Sequence, residues 1–209
     1  MRHHALDLLP IKISPPVLRR LRVVTRVTIY LIIIIAASAG SWAGFLQLTG
    51  NIHAVTDGVA YRSAQLNGAR LAETLQQYGI KSVINLRGDN VDDEWYTNEL
   101  KLTAAQRAVH YDIGMYAKRE PDAATVKRIF EVLRTAPRPI LIHCSSGSDR
   151  TGLVAAIYKR FIEGRSVDEA EAQLSFRFGH FPWFGSGTVA MDEAFQHLVA
   201  THVANVRPP

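Results

Sequence analysis

Residues 140–152 read Ile140-Leu-Ile-His-Cys144-Ser-Ser-Gly-Ser-Asp-Arg150-Thr-Gly152. Ile140–Ile142 is an uninterrupted apolar run behind Pro137 and Pro139, which suits a central strand buried on both faces of a parallel sheet. From Gly152 to Ile162 the pattern is helical. A loop that runs from a buried strand into a helix N-terminus presents unpaired backbone N–H groups and the positive end of the helix dipole. The amides of Ser145, Ser146, Gly147, Ser148, Asp149 and Arg150 can therefore curl around one anion, and Gly147 lets the loop turn tightly. Arg150 lies six residues after Cys144 and can return across the loop as a planar, bidentate clamp on two phosphate oxygens. The same field favours a thiolate at Cys144.

Working outward, strand and helix patterns alternate. Ile52–Val55 and Val59–Arg62 read as two short strands around the turn Thr56-Asp57-Gly58. Ala69–Tyr78 reads as a helix stopped by Gly79, and Lys81–Leu86 as a buried strand. Asp92–Arg107 is a polar helical stretch and Val109–Ile113 another strand. Pro121 opens a helix to Arg134, with Val126, Ile129, Phe130 and Leu133 on one face. Ser166-Val-Asp-Glu169 is a capping box, predicting a helix to about Phe176, and a last helix spans Met191–Ala204. The predicted fold class is α/β: a mainly parallel central sheet flanked by helices.

The amino-terminal part differs in kind. Val27–Leu48 is 22 residues without a charge, and a helix needs about 20 to cross a bilayer. Arg19, Arg20, Arg22 and Arg26 precede it, and Thr49–Val55 carries no lysine or arginine. That asymmetry places the N-terminus in the cytoplasm and the globular part outside, in the periplasm of a bacterium with an inner membrane. The expected organisation is a basic arm over residues 1–26, a transmembrane signal anchor over 27–48 and a catalytic domain over 49–209. Ala37-Ser38-Ala39 has the small-residue pattern of a signal-peptide cleavage site. Against cleavage stand the long arm and the apolar character that continues past Ala39.

The net charge is +5, and residues 1–26 account for all of it with six basic residues and one acid. The globular part is neutral and shows no basic stripe interleaved with aromatics, so nucleic acid is not an expected partner. The single cysteine rules out an internal disulfide and a cysteine-rich metal site. The histidines show no ligand spacing, and no metal or cofactor is expected.

The spelling His143-Cys144-x5-Arg150-Thr151 resembles the signature of the cysteine-dependent protein tyrosine phosphatase superfamily. Val59-Ala-Tyr-Arg-Ser-Ala-Gln65 and Ser82-Val-Ile-Asn-Leu-Arg87 look like the N-terminal strands of its atypical dual-specificity branch. The resemblance implies that Cys144 attacks phosphorus in line, giving a phosphocysteine that water hydrolyses. Arg150 and the loop amides would stabilise charge on the equatorial oxygens. Thr151 would steady the departing thiolate, and His143 would orient the loop.

The family's aspartate general acid usually sits on a separate loop, but Met115–Lys118 holds no acid. The candidates are Asp149, inside the phosphate loop, then Asp122, Asp112 and Glu120. Asp122 equally suits a helix N-terminus, and Asp149 a loop-bracing contact. Arg62 and Arg87 fall at strand ends near the cleft, with structural ion pairs as their expected role. The aromatic stretch Phe176–Phe184 reads as a core-capping loop, a cleft wall or a surface that dips into a bilayer. The expected substrate is protein phosphotyrosine, with phosphoserine and phosphothreonine also admitted. The alternative is a phosphate on a membrane lipid, lipid A or a glycan, and a third reading is a non-catalytic phosphate-binding module.

Overall fold

A computed structural model of the chain describes residues 15–183 and 185–206. Most of the basic arm, residues 1–14 with Arg2 and Lys12, lies outside the described residues, as does Phe184 of the aromatic stretch. Two compact units are present, one ending at Trp42 and one beginning at Ala43. The first consists of α1 up to Trp42; α1 runs Pro15–Thr49, and its last residues belong with the second unit. Its hydropathy and length suffice to cross a bilayer, and its apolar window buries nothing against protein.

α1 stops in a Schellman motif. Asn51 N–H donates to the Leu46 carbonyl at 2.8 Å and Gly50 N–H to that of Gln47 at 3.2 Å. Gly50 takes the left-handed φ of +77° that this motif requires.

The second unit is built on five strands: β1 (His53–Thr56), β2 (Ala60–Ser63), β3 (Ser82–Asn85), β4 (Val109–Asp112) and β5 (Ile140–His143). Their order is β1-β2-β5-β3-β4, with β1 antiparallel to β2 and the other pairs parallel. Last in sequence, β5 is central in space, inserted between β2 and β3. The crevice beyond the carboxyl ends of such strands is where open α/β sheets place their ligands.

Alternation along the strands supplies two cores. Tyr61, Val83 and Leu141 face one way and pack with Leu71 and Leu75 of α2 (Gly68–Gln77). Ala60, Ile84, Ile140 and Ile142 face the other way. There they meet Ile129 and Leu133 of α4 (Ala123–Thr135), Leu153–Ile157 of α5 (Asp149–Ile157) and Phe195 of α7 (Val189–Val206). α3 (Glu94–Ala105) precedes β4, and α2 and α3 pack together.

Two elements depart from the sequence expectation. The helix expected over Gly152–Ile162 starts earlier, at Asp149, and changes to a π-turn over Tyr158–Ile162. The helix after Ser166 has its capping box but ends at Glu171 as α6 (Val167–Glu171), instead of reaching Phe176. Past Glu171 the backbone tightens: Gln173 N–H donates to the Ala170 carbonyl at 3.0 Å and Leu174 N–H to that of Glu171 at 2.8 Å, three residues back instead of four. A 3₁₀ turn, Phe176–Phe178, follows.

Candidate active site

Cys144 follows β5 directly and is buried, and the loop Ser145–Ser148 leads into α5. Gly147 has φ +73°, and a Cβ there would lie 2.6 Å from Ser63 C and from Ala64 N. Backbone cannot yield as a flexible side chain can, so this loop is moulded against the end of β2. Gly147→Ala is therefore expected to lower kcat/KM at least 100-fold and to destabilise the domain by about 1–3 kcal/mol. Aryl-phosphate kinetics and a urea melt on the same preparation check both.

Arg62 holds the loop from beneath. Its side chain is fully buried; Nη2 donates to the carbonyls of Gly147 at 2.8 Å and Ser148 at 3.3 Å, and Nη1 to Gln173 O and Oε1. The guanidinium also lies 3.9 Å from the centre of the Phe178 ring. The expected ion pair is absent among the described residues; carbonyls hold the two terminal nitrogens of Arg62, while its Nε is buried without a protein partner. Burial pulls its pKa down to about 9, opposed by the negative charge of Cys144.

His143 is buried, and its Nε2 lies 3.1 Å from Glu99 Oε1. That oxygen also meets His110 Nε2 at 2.9 Å, while Gln65 donates to Oε2 at 2.8 Å. Burial opposes ionisation of Glu99, but His143 and the hydrogen bonds from both imidazoles and Gln65 outweigh it, so its carboxyl stays well below the usual range. Sequence reading missed Glu99. The signal was there in part: α3 looked polar because its buried positions are Tyr96, Glu99 and Thr103.

Arg150 Nη1 donates to the carbonyls of Leu86 at 3.1 Å and Met115 at 3.2 Å. Met115 stands where the family's acid loop was expected, so that segment gives Arg150 a backbone acceptor. Arg150 Nε and Thr151 Oγ1 are buried without a protein partner, donors suited to an anion and to a thiolate. Beside them a cavity of about 520 Å³ is lined by Arg87, Asp89, Met115, Tyr116 and Arg150 among others. Arg87 forms no ion pair among the described residues: it stacks 3.7 Å above Trp95 and reaches Gln65 Oε1 at 3.3 Å. Burial, then the charge of Arg150, lowers its pKa.

The four candidate acids have different surroundings. Asp122 caps α4, accepting from Thr125 N–H at 2.8 Å; this bond holds its carboxyl below the usual range, the wrong direction for a proton donor. Asp112 accepts from Asn85 Nδ2 at 2.8 Å and Tyr96 OH at 2.7 Å. Glu120 pairs with His197 at 2.9 Å on the surface. Asp149 is the one within the phosphate loop and α5 N-terminus, and its Oδ1 lies 2.7 Å from His180 Nδ1. His180 is completely buried, with Nε2 2.8 Å from Asp192 Oδ2. Burial opposes its charge, but the hydrogen bonds to Asp149 and Asp192 prevail and push its pKa up to about 9.

His180 belongs to the aromatic stretch, which sequence reading had not connected to the acid. The raised pKa has a consequence for stability. The contribution is complete below the unfolded pKa of 6.5 and is lost as pH rises through about 9. Wild type should accordingly lose melting temperature between pH 7 and pH 10, relative to His180→Gln. Parallel thermal melts across that range check this.

Known proteins give an independent view of this site. Residues 43–166 match the model of the tyrosine phosphatase family. Dual specificity protein phosphatase TpbA of Pseudomonas aeruginosa is 29% identical over 131 residues, 62% of this chain and 55% of that protein. The chain thus spans about half the length of the curated relatives it matches. The crystal structure of P. aeruginosa TpbA aligns with TM-score 0.54 at 25% identity, over 74% of this chain and 92% of that one. A cysteine-to-serine TpbA in complex with pTyr gives TM-score 0.55 at 25% identity, over 75% and 92%. The catalytic core of the PP-IP phosphatase SIW14 from S. cerevisiae shares the fold, with TM-score 0.53 at 20% identity over 73% and 93%. With the matched region reaching through β5, Cys144 and Arg150, this chain belongs to the tyrosine phosphatase family.

Proposed function

We propose that the chain is a cysteine-dependent phosphatase that hydrolyses phosphomonoesters on protein phosphotyrosine, and on phosphoserine and phosphothreonine where the cleft admits them. The observation that carries the reading is the moulded loop with Cys144 at its start and Arg150 at its end. The pTyr complex of the related TpbA supports phosphotyrosine as substrate. Cys144 Sγ attacks phosphorus as the bond to the leaving oxygen breaks, and that oxygen takes a proton. Water then attacks phosphorus, the P–S bond breaks, and the thiolate and inorganic phosphate are released. Loop amides of Ser145, Ser146, Gly147, Ser148, Asp149 and Arg150, with the Arg150 side chain, bear the charge on the non-bridging oxygens. Thr151 Oγ1 receives the thiolate's charge, and His143, fixed by Glu99, orients the strand end.

The leaving-group proton comes from the Asp149–His180 pair. Asp149 is the candidate acid inside the phosphate loop, and His180 Nδ1, 2.7 Å from its Oδ1, is placed to pass it the proton that it donates. Asp149→Asn should lower kcat about 100-fold on phenyl phosphate but much less on nitrophenyl phosphate, whose leaving group needs less help. Equal losses on both would reduce Asp149 to a positioning residue.

α1 is read as an anchor crossing a bacterial inner membrane within residues 27–48, the last of which pack on the catalytic domain, with that domain in the periplasm. The arginine flank and the uninterrupted apolar run support this. The anchor also favours a second substrate reading, a lipid or glycan phosphate presented at the membrane. Release of phosphate from phosphotyrosine peptides and from phospholipid vesicles, by the full-length protein, separates the two.

A further inference from the structure

The phosphate loop is held from outside by the end of α1. Gln47 Nε2 donates to the Ser146 carbonyl at 3.3 Å, and Asn51 Nδ2 to the same oxygen at 3.0 Å. Asn51 is fully buried and also donates to the Phe178 carbonyl at 2.9 Å. Leu46 is buried as well; a Cβ at Gly179 would lie 3.2 Å from its Cδ1 and 2.9 Å from Ser148 Oγ. The 176–180 turn is thus wedged between the helix end and the loop. Arg70 Nη1 bonds the Leu48 carbonyl from α2.

Gln47 is itself part of the uncharged run Val27–Leu48. No linker therefore separates the apolar segment from the phosphate loop. Trp42 to Gln47 spans about 7.5 Å as helix and at most about 18 Å fully extended. Whatever orientation the two units adopt, a bilayer that holds the apolar run as far as Trp42 lies within this distance of Gln47, whose side chain reaches Ser146.

The surface around the attachment is apolar. Phe45 and Leu48 are 54% and 78% exposed on the last turns of α1, and Phe176 and Trp183 are 50% and 64% exposed on the aromatic stretch. Phe176, Phe181 and Trp183 form a continuous ring ladder, with centroids 4.6 and 5.4 Å apart. Arg177 is exposed beside Phe176. Aromatic side chains interleaved with a cation are the composition of surfaces that settle at the headgroup level of a bilayer.

We propose that Phe45, Leu48, Phe176, Arg177 and Trp183 dock the catalytic domain onto the bilayer that α1 enters, so that the phosphate loop works at the lipid–water interface. The occupant of this surface is the headgroup layer, with Arg177 facing anionic phosphates. The inference rests on the membrane reading of α1 given above, and its test separates the two.

In a Cys144→Ser background the chain has no other cysteine, so a single spin label reports one position. Full-length protein carrying Ile33→Cys, Phe176→Cys, Trp183→Cys or Thr135→Cys is reconstituted into phosphatidylcholine–phosphatidylglycerol vesicles. Collision with oxygen, which favours lipid, is compared with collision by a water-soluble nickel chelate. Labels at 33, 176 and 183 are expected to favour oxygen at least threefold over the label at 135. Nickel-accessible labels at both 176 and 183, with 33 still in lipid, would overturn the docking and leave the anchor standing. A nickel-accessible label at 33 would remove the anchor and the docking with it.

Discussion

Arg150→Lys is expected to lower kcat/KM on an aryl phosphate by about 100- to 1,000-fold with the fold intact. The charge survives the exchange, so the loss isolates geometry. A guanidinium is a planar fork whose five donors point in fixed directions, whereas an ammonium is a compact point charge. Arg150 divides its fork between two tasks. Nη1 is bound to the Leu86 and Met115 carbonyls, at 3.1 and 3.2 Å, which fixes the plane of the group. Nε is buried without a protein partner and remains for the substrate. Lysine cannot hold two backbone carbonyls and clamp a phosphoryl group as well. Loss of one preorganised donor in such a site costs about 100- to 1,000-fold. Steady-state kinetics beside far-ultraviolet circular dichroism measure this, and a loss below tenfold would show that Arg150 does not clamp the transferred group.

Arg62→Met is the second large effect, and it falls on stability first. The methionine fills much of the same volume but donates nothing. The carbonyls of Gly147, Ser148 and Gln173 would lose their buried donor. Each unsatisfied group costs about 1–3 kcal/mol, part of which relaxation recovers. A net loss of about 3–5 kcal/mol is expected, read as the shift in urea midpoint at constant slope. Activity should fall as well, because two of those carbonyls belong to the phosphate loop. Unchanged stability would mean that the loop keeps its shape without the buried cation.

Local pattern carried the strands, α2, α4 and the phosphate loop. Each is specified within about a dozen neighbouring residues, by alternation, apolar runs, caps and glycines. Cys144, Gly147 and Arg150 were legible because their chemistry depends on spacing within one loop. The groups that hold the loop were not, because their partners lie far along the chain. Glu99 reaches His143 across 44 residues, His180 reaches Asp149 across 31, and Asn51 reaches Ser146 across 95. Arg62 was noticed but assigned an ion pair, since sequence shows charges more readily than backbone carbonyls. Its bond to the Gln173 carbonyl, 111 residues away, is likewise invisible to local pattern. The aromatic stretch was legible as composition only; its hidden content is His180, which links the phosphate loop to Asp192 on α7.

A covalent phosphoenzyme at Cys144 can be trapped directly. Full-length protein in detergent, without added metal, is mixed with ³²P-labelled aryl phosphate and quenched in acid within milliseconds, wild type beside Cys144→Ser. Wild-type protein is expected to carry label that is stable in acid and labile to iodine, as a phosphocysteine is, with no label and no turnover in the folded variant. Turnover that survives in Cys144→Ser, or label retained on another residue, would contradict it.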